Sequence, residues 1–232
     1  MRALRAKLKG DVRFKGIGGP LMEAEGLDLL FPNTELMHFG VIEVLRHIPR
    51  LLRRINETAQ AVVEARPAAL ITIDAPDFCF RVARLVKKRA SDIKLIHYVA
   101  PTVWAWRPGR AKKIAKFLDH LLAVLPFEPP YFTSEGLPCT FVGHSVVESG
   151  ADKGDGLAFR ARHNVTAGTP LLTVLLGSRV SEVSRLLPVF KKTIALLHEK
   201  HPDLTIVVPT LPHLRKHVEE IVATWGVPTI VV

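Results

Sequence analysis

Short runs dominated by Val, Ile and Leu alternate along this chain with longer amphipathic stretches. The runs predict strands at Val12–Gly16, Ala69–Asp74, Ile93–Val99, Leu121–Leu125, Thr140–Gly143, Leu171–Leu176, Leu204–Pro209 and Pro228–Val232. Most are near-continuous rather than alternating, the pattern of strands buried on both faces of a parallel sheet. Helical periodicity falls between them, at Glu35–Ala65, Arg81–Ala90, Arg107–Phe117, Ser181–His201 and Leu211–Trp225, with shorter helical pieces at Leu4–Lys9 and Leu21–Glu25. Strand and helix in alternation predict an α/β, doubly wound architecture.

The pattern breaks at Val146–Gly156, which has few apolar anchors and reads as a linker. Two Rossmann-like units follow from it, residues 1–148 and 149–232. Each end is unusual for such a unit. A doubly wound unit opens with a strand and a turn before its first helix, whereas this chain opens with a helix. The second unit has three predicted strands, and the sequence stops inside the apolar run Thr229–Val232. The expectation is a piece of a longer protein, with its first strand missing and its second unit incomplete.

Composition narrows the classes. With 232 residues, 48% of them hydrophobic, the chain can bury a core and is not disordered throughout. Thirty-two Lys and Arg against 22 Asp and Glu leave a net charge of +10. That excess calls for an anionic partner: nucleic acid, an anionic membrane surface or a phosphorylated substrate. Most of it lies in the first unit, with 22 basic to 15 acidic residues up to Gly150 and 10 to 7 beyond. Two cysteines, Cys79 and Cys139, in apolar surroundings exclude a disulfide framework and a cysteine zinc site. No apolar run reaches the roughly 18 residues of a spanning helix, and the start lacks a signal-peptide core.

Candidate chemistry gathers where strands end. Ile71-Thr72-Ile73-Asp74-Ala75-Pro76-Asp77 closes a buried strand with carboxylates, and ligands of open α/β sheets bind at the carboxyl ends of strands. A partly desolvated Asp74 suits a general base for a hydroxyl nucleophile. The plainer reading has Asp74 capping the next helix and Asp77 solvated. His97–Arg107 sets Trp104 and Trp106 beside a basic helix, suited to stacking on a sugar or base or, more simply, a packed loop before a solvated basic face. Gly177-Ser178-Arg179 lies between a strand and a helix with Glu182 in its first turn. Free backbone N–H groups, the helix dipole and a bidentate arginine there suit a nucleotide diphosphate. Gly16–Pro20, with Gly18 and Gly19, is a second turn of this kind, equally well read as a tight turn with proline opening a helix.

Leu36–Ile55 differs in kind. Val41, Ile42, Val44, Leu45, Ile48, Leu51 and Leu52 interleave with Arg46, His47, Arg50, Arg53 and Arg54, giving more apolar surface than one core stripe needs and a cationic polar side. Such a helix docks on a membrane surface or, alternatively, packs in a core with a solvated basic face. No metal site is expected: His213 and His217 are four apart with no acidic residue between them, and both read as solvated. His144 follows a strand beside the linker and is expected to face a cleft between the units.

Together these segments resemble the lipid-A-disaccharide synthase family of two-Rossmann-domain (GT-B) glycosyltransferases. The resemblance rests on Gly16–Gly26, Gly40–Leu45, Ile73–Phe78, His97–Arg107, Pro126-Phe127-Glu128, Phe141–His144 and Gly177-Ser178-Arg179, in one order over essentially the whole chain. It implies transfer from UDP-2,3-diacylglucosamine to 2,3-diacylglucosamine 1-phosphate, with inversion, giving the β-1,6-linked disaccharide 1-phosphate and UDP. The first domain is then the acceptor and membrane-facing one, the second the donor one. Asp74 matches the essential carboxylate and Arg179 the arginine at the UDP site. Gly177, Ser178 and Glu182 join the donor loop, and Gly18, Gly19, Asp77, Trp104, Trp106, Arg107 and His144 the acceptor side. No metal or cofactor is implied, and the place implied is peripheral, on the cytoplasmic face of a Gram-negative-type inner membrane. Leu176 departs from the family's usual proline, and donor motifs beyond Val232 are absent, so weak or absent turnover is expected of the chain as it stands. Another UDP-sugar enzyme of the same fold, such as a UDP-GlcNAc 2-epimerase, and a non-catalytic basic membrane module are the alternatives. Nucleic acid is not an expected partner, because no recognition helix or RNA-binding signature is present.

Overall fold

The structure, a computed structural model, describes residues 1–8, 11–36, 44–150 and 152–232, with residues 44–47 and 148 described in backbone only. The chain divides into two compact units, Met1–Ser149 and Gly150–Val232.

The first unit runs α1 (Arg2–Lys7), β1 (Phe14–Gly18), α2 (Pro20–Ala24), β2 (Leu27–Pro32), α3 (Val44–Ala65), β3 (Ala69–Ile73), α4 (Pro76–Arg89), β4 (Lys94–Tyr98), α5 (Arg110–Ile114), β5 (His120–Ala123), α6 (Pro129–Thr133) and β6 (Cys139–Phe141). All its strand pairings are parallel. β1 pairs with β2, and β3 to β6 form a four-stranded sheet in sequence order. Among the described residues β1 and β3 therefore each keep one edge without a strand partner. The second unit holds α7 (Gly156–Arg162), β7 (Leu171–Thr173), α8 (Val180–Lys200), β8 (Thr205–Val208), α9 (Arg215–Val222) and β9 (Thr229–Val231), its sheet again parallel and in sequence order. The α/β class with parallel sheets is as expected. The reversal of strand order that defines a doubly wound sheet does not occur within either of the longer sheets.

Each unit has its own core. In the first, α3 offers the stripe Leu51, Ile55, Ala59, Val62 and α4 offers Phe80, Val82, Ala83, Val86, against Leu95 and Leu121 of the sheet. In the second, Val183, Leu187 and Ile194 of α8 and Val218 and Val222 of α9 close over Ile206 and Val208. Helix periodicity of three and four residues places these side chains on one face.

Five sequence expectations need correction. β2 was not anticipated: Leu27–Pro32 is too short and too interrupted by Asp28 to stand out, and it becomes a strand by pairing with β1. Of the helix expected over Glu35–Ala65, Val44–Ala65 is α3 and Asn33–Leu36 forms a 3-10 turn instead, while residues 37–43 lie outside the described residues. α4 begins at Pro76 rather than Arg81, because proline at the first helical position needs no N–H partner. Burial on both faces fails at β3, where Thr72 is buried but Ile71 and Ile73 are 42% and 45% exposed. The linker expected at Val146–Gly156 overlaps a 3-10 turn, Ser145–Glu148, and includes the first residue of α7, whose N-cap Asp155 accepts the Ala158 N–H.

The centre of the first core holds a polar pair. Thr72 and His97 are register partners on β3 and β4. The Thr72 hydroxyl meets His97 Nδ1 at 2.7 Å. His97 is fully buried, edge-on to Phe80 at 4.6 Å, and its Nε2 has no partner among the described residues. Burial pushes its pKa down to about 4. An unfolded histidine titrates near 6.5, so between these values the unfolded chain binds the extra proton. The stabilisation is complete above about pH 6.5 and lost as pH falls towards 4, at roughly 1.4 kcal/mol per unit. Urea unfolding at pH 7, 5.5 and 4.5 should show a shallower acid loss in His97→Leu than in the wild type; parallel losses in the two proteins would refute the assignment.

Candidate functional site

Parallel strands deliver their carboxyl ends to one edge, and in the first unit that edge carries the chemistry-bearing residues. β3 ends at Ile73, where the Asp74 N–H still bonds the Tyr98 carbonyl at 3.0 Å. Asp74 and Ala75 then adopt left-handed conformations, φ 49° and 42°. At the end of β4, Val99 does the same with φ 75°, its N–H held by the Leu122 carbonyl at 3.1 Å. A β-branched residue there is strained, by roughly 1–3 kcal/mol. The strain sits side by side at the ends of two neighbouring strands.

This turn leaves Asp74 exposed, not partly desolvated as expected. Its carboxylate makes no hydrogen bond or ion pair among the described residues. It does not cap α4 either: Ala75 occupies the cap position, without a side-chain cap bond. Asp77 is solvated, its side chain 97% exposed and touching Arg110 at 3.5 Å. Beneath the edge Cys79 is buried enough that its thiol is pushed up to about 11, a neutral, unreactive group at ordinary pH.

The loop after β4 presents the aromatic residues. Trp104 is 42% exposed and meets Phe127 edge to face at 5.2 Å. Trp106 projects further and stacks with the Arg107 guanidinium at 4.1 Å. Arg107 has φ 58°, and α5 begins after it, at Arg110 instead of Arg107. The loop after β5 turns back through Glu128, a buried carboxylate that sequence reasoning carried only as part of a motif. Its signal was a lone charge flanked by apolar residues and prolines, Leu125-Pro126-Phe127-Glu128-Pro129. His144, after β6, is exposed and accepts the Val146 N–H at 3.1 Å, capping the following 3-10 turn.

The glycine turn after β1 is built for packing. A Cβ at Gly18 would lie 2.6 Å from Leu27 Cδ2 and 2.8 Å from Met22 Sδ. Gly19 precedes Pro20, the first residue of α2, as the plainer reading had it. Of the apolar membrane face, Val41 and Ile42 lie outside the described residues, as do the side chains of Val44 and Leu45. Leu51 belongs to the core stripe, whereas Ile48 and Leu52, one turn apart, are exposed. The polar side of α3 is less cationic than its sequence: Glu35 binds Arg50 and Arg54, and Glu57 binds Arg53 and Arg54. Part of the basic excess lies elsewhere, around a cavity of about 450 Å³ lined by Arg84, Lys87, Lys88, Lys113, Lys116 and Phe117. Lys87 there bonds Asp119, which accepts the Leu95 N–H at the start of β4, so the cavity lies towards the amino edge, away from Asp74.

In the second unit Gly177 has φ 105°, and a Cβ would meet Glu182 Cβ at 2.7 Å. Glu182 Oε2 accepts the N–H groups of Ser178 and Arg179 at 2.9 and 3.2 Å, and Oε1 holds the Arg179 guanidinium at 2.6 Å. These bonds hold the Glu182 carboxyl below its usual range, the Ser178 N–H contributing most. Glu182 thus orders the loop around its own carboxylate, and the two backbone donors converge on one anionic group. Among the described residues no three His, Cys, Asp or Glu side chains are grouped to hold a metal ion; His213 and His217 are exposed.

Known proteins match this arrangement at two levels. Solved UDP-N-acetylglucosamine 2-epimerases from Rickettsia bellii (TM-score 0.56, 13% identity, 96% of this chain and 69% of that one) and Neisseria meningitidis (TM-score 0.60, 11% identity, 95% and 72%; bound to UDP-GlcNAc) share the fold. At such identity they speak for architecture alone. Lipid-A-disaccharide synthases from Rhodospirillum centenum and Ruegeria pomeroyi are 57% and 53% identical over 99% and 100% of this chain. The chain spans 57% of the length of each. A sequence model of the lipid-A-disaccharide synthetase family matches residues 1–228. With a parallel α/β scaffold and the family's motifs set on its strand ends, the chain belongs to the lipid-A-disaccharide synthetase family.

Proposed function

We propose that the chain serves glycosyl transfer in lipid A assembly, with UDP-2,3-diacylglucosamine as donor and 2,3-diacylglucosamine 1-phosphate as acceptor. Family membership over residues 1–228 supports the reaction class. The observation that carries the catalytic assignment is Asp74: an exposed carboxylate without a partner among the described residues, on a strained turn at the carboxyl edge. A base in that position takes the proton of the acceptor 6-hydroxyl. The oxygen forms the bond to the anomeric carbon as the bond to UDP breaks on the opposite face, inverting the centre and releasing UDP.

Gly177, Ser178 and Arg179 take the diphosphate in this reading. The developing negative charge on UDP replaces the Glu182 carboxylate at the two backbone N–H groups, and Arg179 swings from Glu182 to phosphate. Trp104, Trp106 and Arg107 face the acceptor, with Asp77 and His144 near the same edge, and Gly18 and Gly19 shape the turn after β1. The first half of α3, with Ile48 and Leu52 exposed, docks on an anionic bilayer surface, so the protein works peripherally at the cytoplasmic face of the inner membrane. No described helix is long and apolar enough to cross a membrane.

Three measurements test these assignments. Transfer from radiolabelled donor, with the chain in excess so that slow single turnovers are read, should fall about 10²–10⁴-fold in Asp74→Asn; transfer within threefold of wild type would remove Asp74 as the base. UDP binding by calorimetry should weaken at least tenfold in Gly177→Ala, because the added Cβ strains φ 105° and displaces Glu182; unchanged affinity would count against the donor loop. Flotation with phosphatidylglycerol-containing vesicles should be lost in Ile48→Glu/Leu52→Glu, and equal flotation would exclude α3 as the docking element.

A further inference from the structure

We infer that Glu128 is a positioning residue, one that holds the exposed Trp104–Phe127 pair as a rigid wall for the acceptor glycolipid on the carboxyl edge of the first sheet. The ligand named here rests on the reading above.

Glu128 is 1% exposed, and no cation pairs with it among the described residues. A buried carboxylate in that state is costly unless its lone pairs are filled. Here they are filled by N–H donors. Oε2 accepts from Val124 and Leu125 at 3.2 and 3.0 Å, and Oε1 accepts from the Trp104 indole at 3.4 Å, the long end of the range. Val124 and Leu125 directly follow β5, where the ladder has ended and their N–H groups need other partners. Trp104 lies six residues beyond β4. One carboxylate therefore ties the loop after β4 to the loop after β5.

The residues it ties are not core. Trp104 and Phe127 are 42% and 48% exposed, yet they meet at 5.2 Å and 80°. Val103 and Ala100 anchor the loop below them. Two large rings held edge to face at the surface, on the edge that carries Asp74, present an apolar wall with a fixed tilt. Such a wall suits the carbon face of a sugar ring or the first methylenes of an acyl chain. A neutral amide cannot replace the carboxylate. Glutamine has one acceptor oxygen, so its NH2 group would face either the indole N–H or the two backbone N–H groups.

The test reads the indole directly. The ¹H–¹⁵N spectrum of the whole chain has indole signals for Trp104, Trp106 and Trp225, and Trp104→Phe identifies the first by its loss. Glu128→Gln should shift the Trp104 signal and leave the other two in place. The same variant should bind 2,3-diacylglucosamine 1-phosphate in detergent micelles about tenfold more weakly, the scale of one lost positioning contact. Phe127→Leu, which leaves Glu128 and its three donors intact, should weaken binding similarly with a smaller indole shift. An unmoved Trp104 signal in Glu128→Gln overturns the proposal, and so does a moved signal with wild-type glycolipid binding. If the wild type itself does not bind the glycolipid, the acceptor reading fails, and the indole shift alone then decides whether Glu128 holds the ring.

Discussion

Parallel pairing is the constraint on which everything else in the first unit depends. Four strands in sequence order, all running one way, force every return connection across a helix and every strand end to the same edge. Asp74, Val99, Trp104, Glu128 and His144 are spread over some 70 residues of sequence, yet each follows a strand that ends on that edge. The helices provide the core that keeps the ladder aligned: the stripe of α3 and the apolar face of α4 bury one set of strand side chains, which a one-residue slip would turn to the other face.

The edge is held by backbone hydrogen bonds that cross from one loop to the next. The N–H of Asp74 bonds to Tyr98, that of Val99 to Leu122 and that of Val142 to Ala123. Each loop thus leans on the strand beside it, and strained residues persist because their neighbours over-determine them. Glu128 extends the same logic with a side chain. The polar Thr72–His97 pair lies one layer below, between the strained turns and the aromatic core. The second unit uses a different device, a glutamate that folds back on its own helix N-terminus and rehearses the contacts an anionic ligand would make.

Charge is distributed less simply than the net +10 suggests. Arginines of α3 are matched by Glu35 and Glu57, whereas lysines of α4 and α5 gather towards the amino edge of the sheet. Only the folded chain brings Glu35 against Arg54, 19 residues away. A helical wheel of Leu36–Ile55 cannot register a counter-charge supplied from outside the helix.

The sequence by itself determined the α/β class, most strands to within two or three residues and the family, because hydrophobic period and ordered motifs are local properties of the chain. It also identified Asp74, Trp104 and Gly177-Ser178-Arg179 as strand-end residues. Tertiary structure alone decided the rest. Leu27–Pro32 became a strand because β1 was there to pair with it. Ile71 and Ile73 proved exposed because burial depends on what covers a face, not on the side chains that form it. Glu182 and Glu128 took their roles from donors that converge in space, two backbone N–H groups in one case and two separate loops in the other. Hydrogen-bond partners, strain and counter-charges are relations between distant residues, and a linear pattern holds no distances.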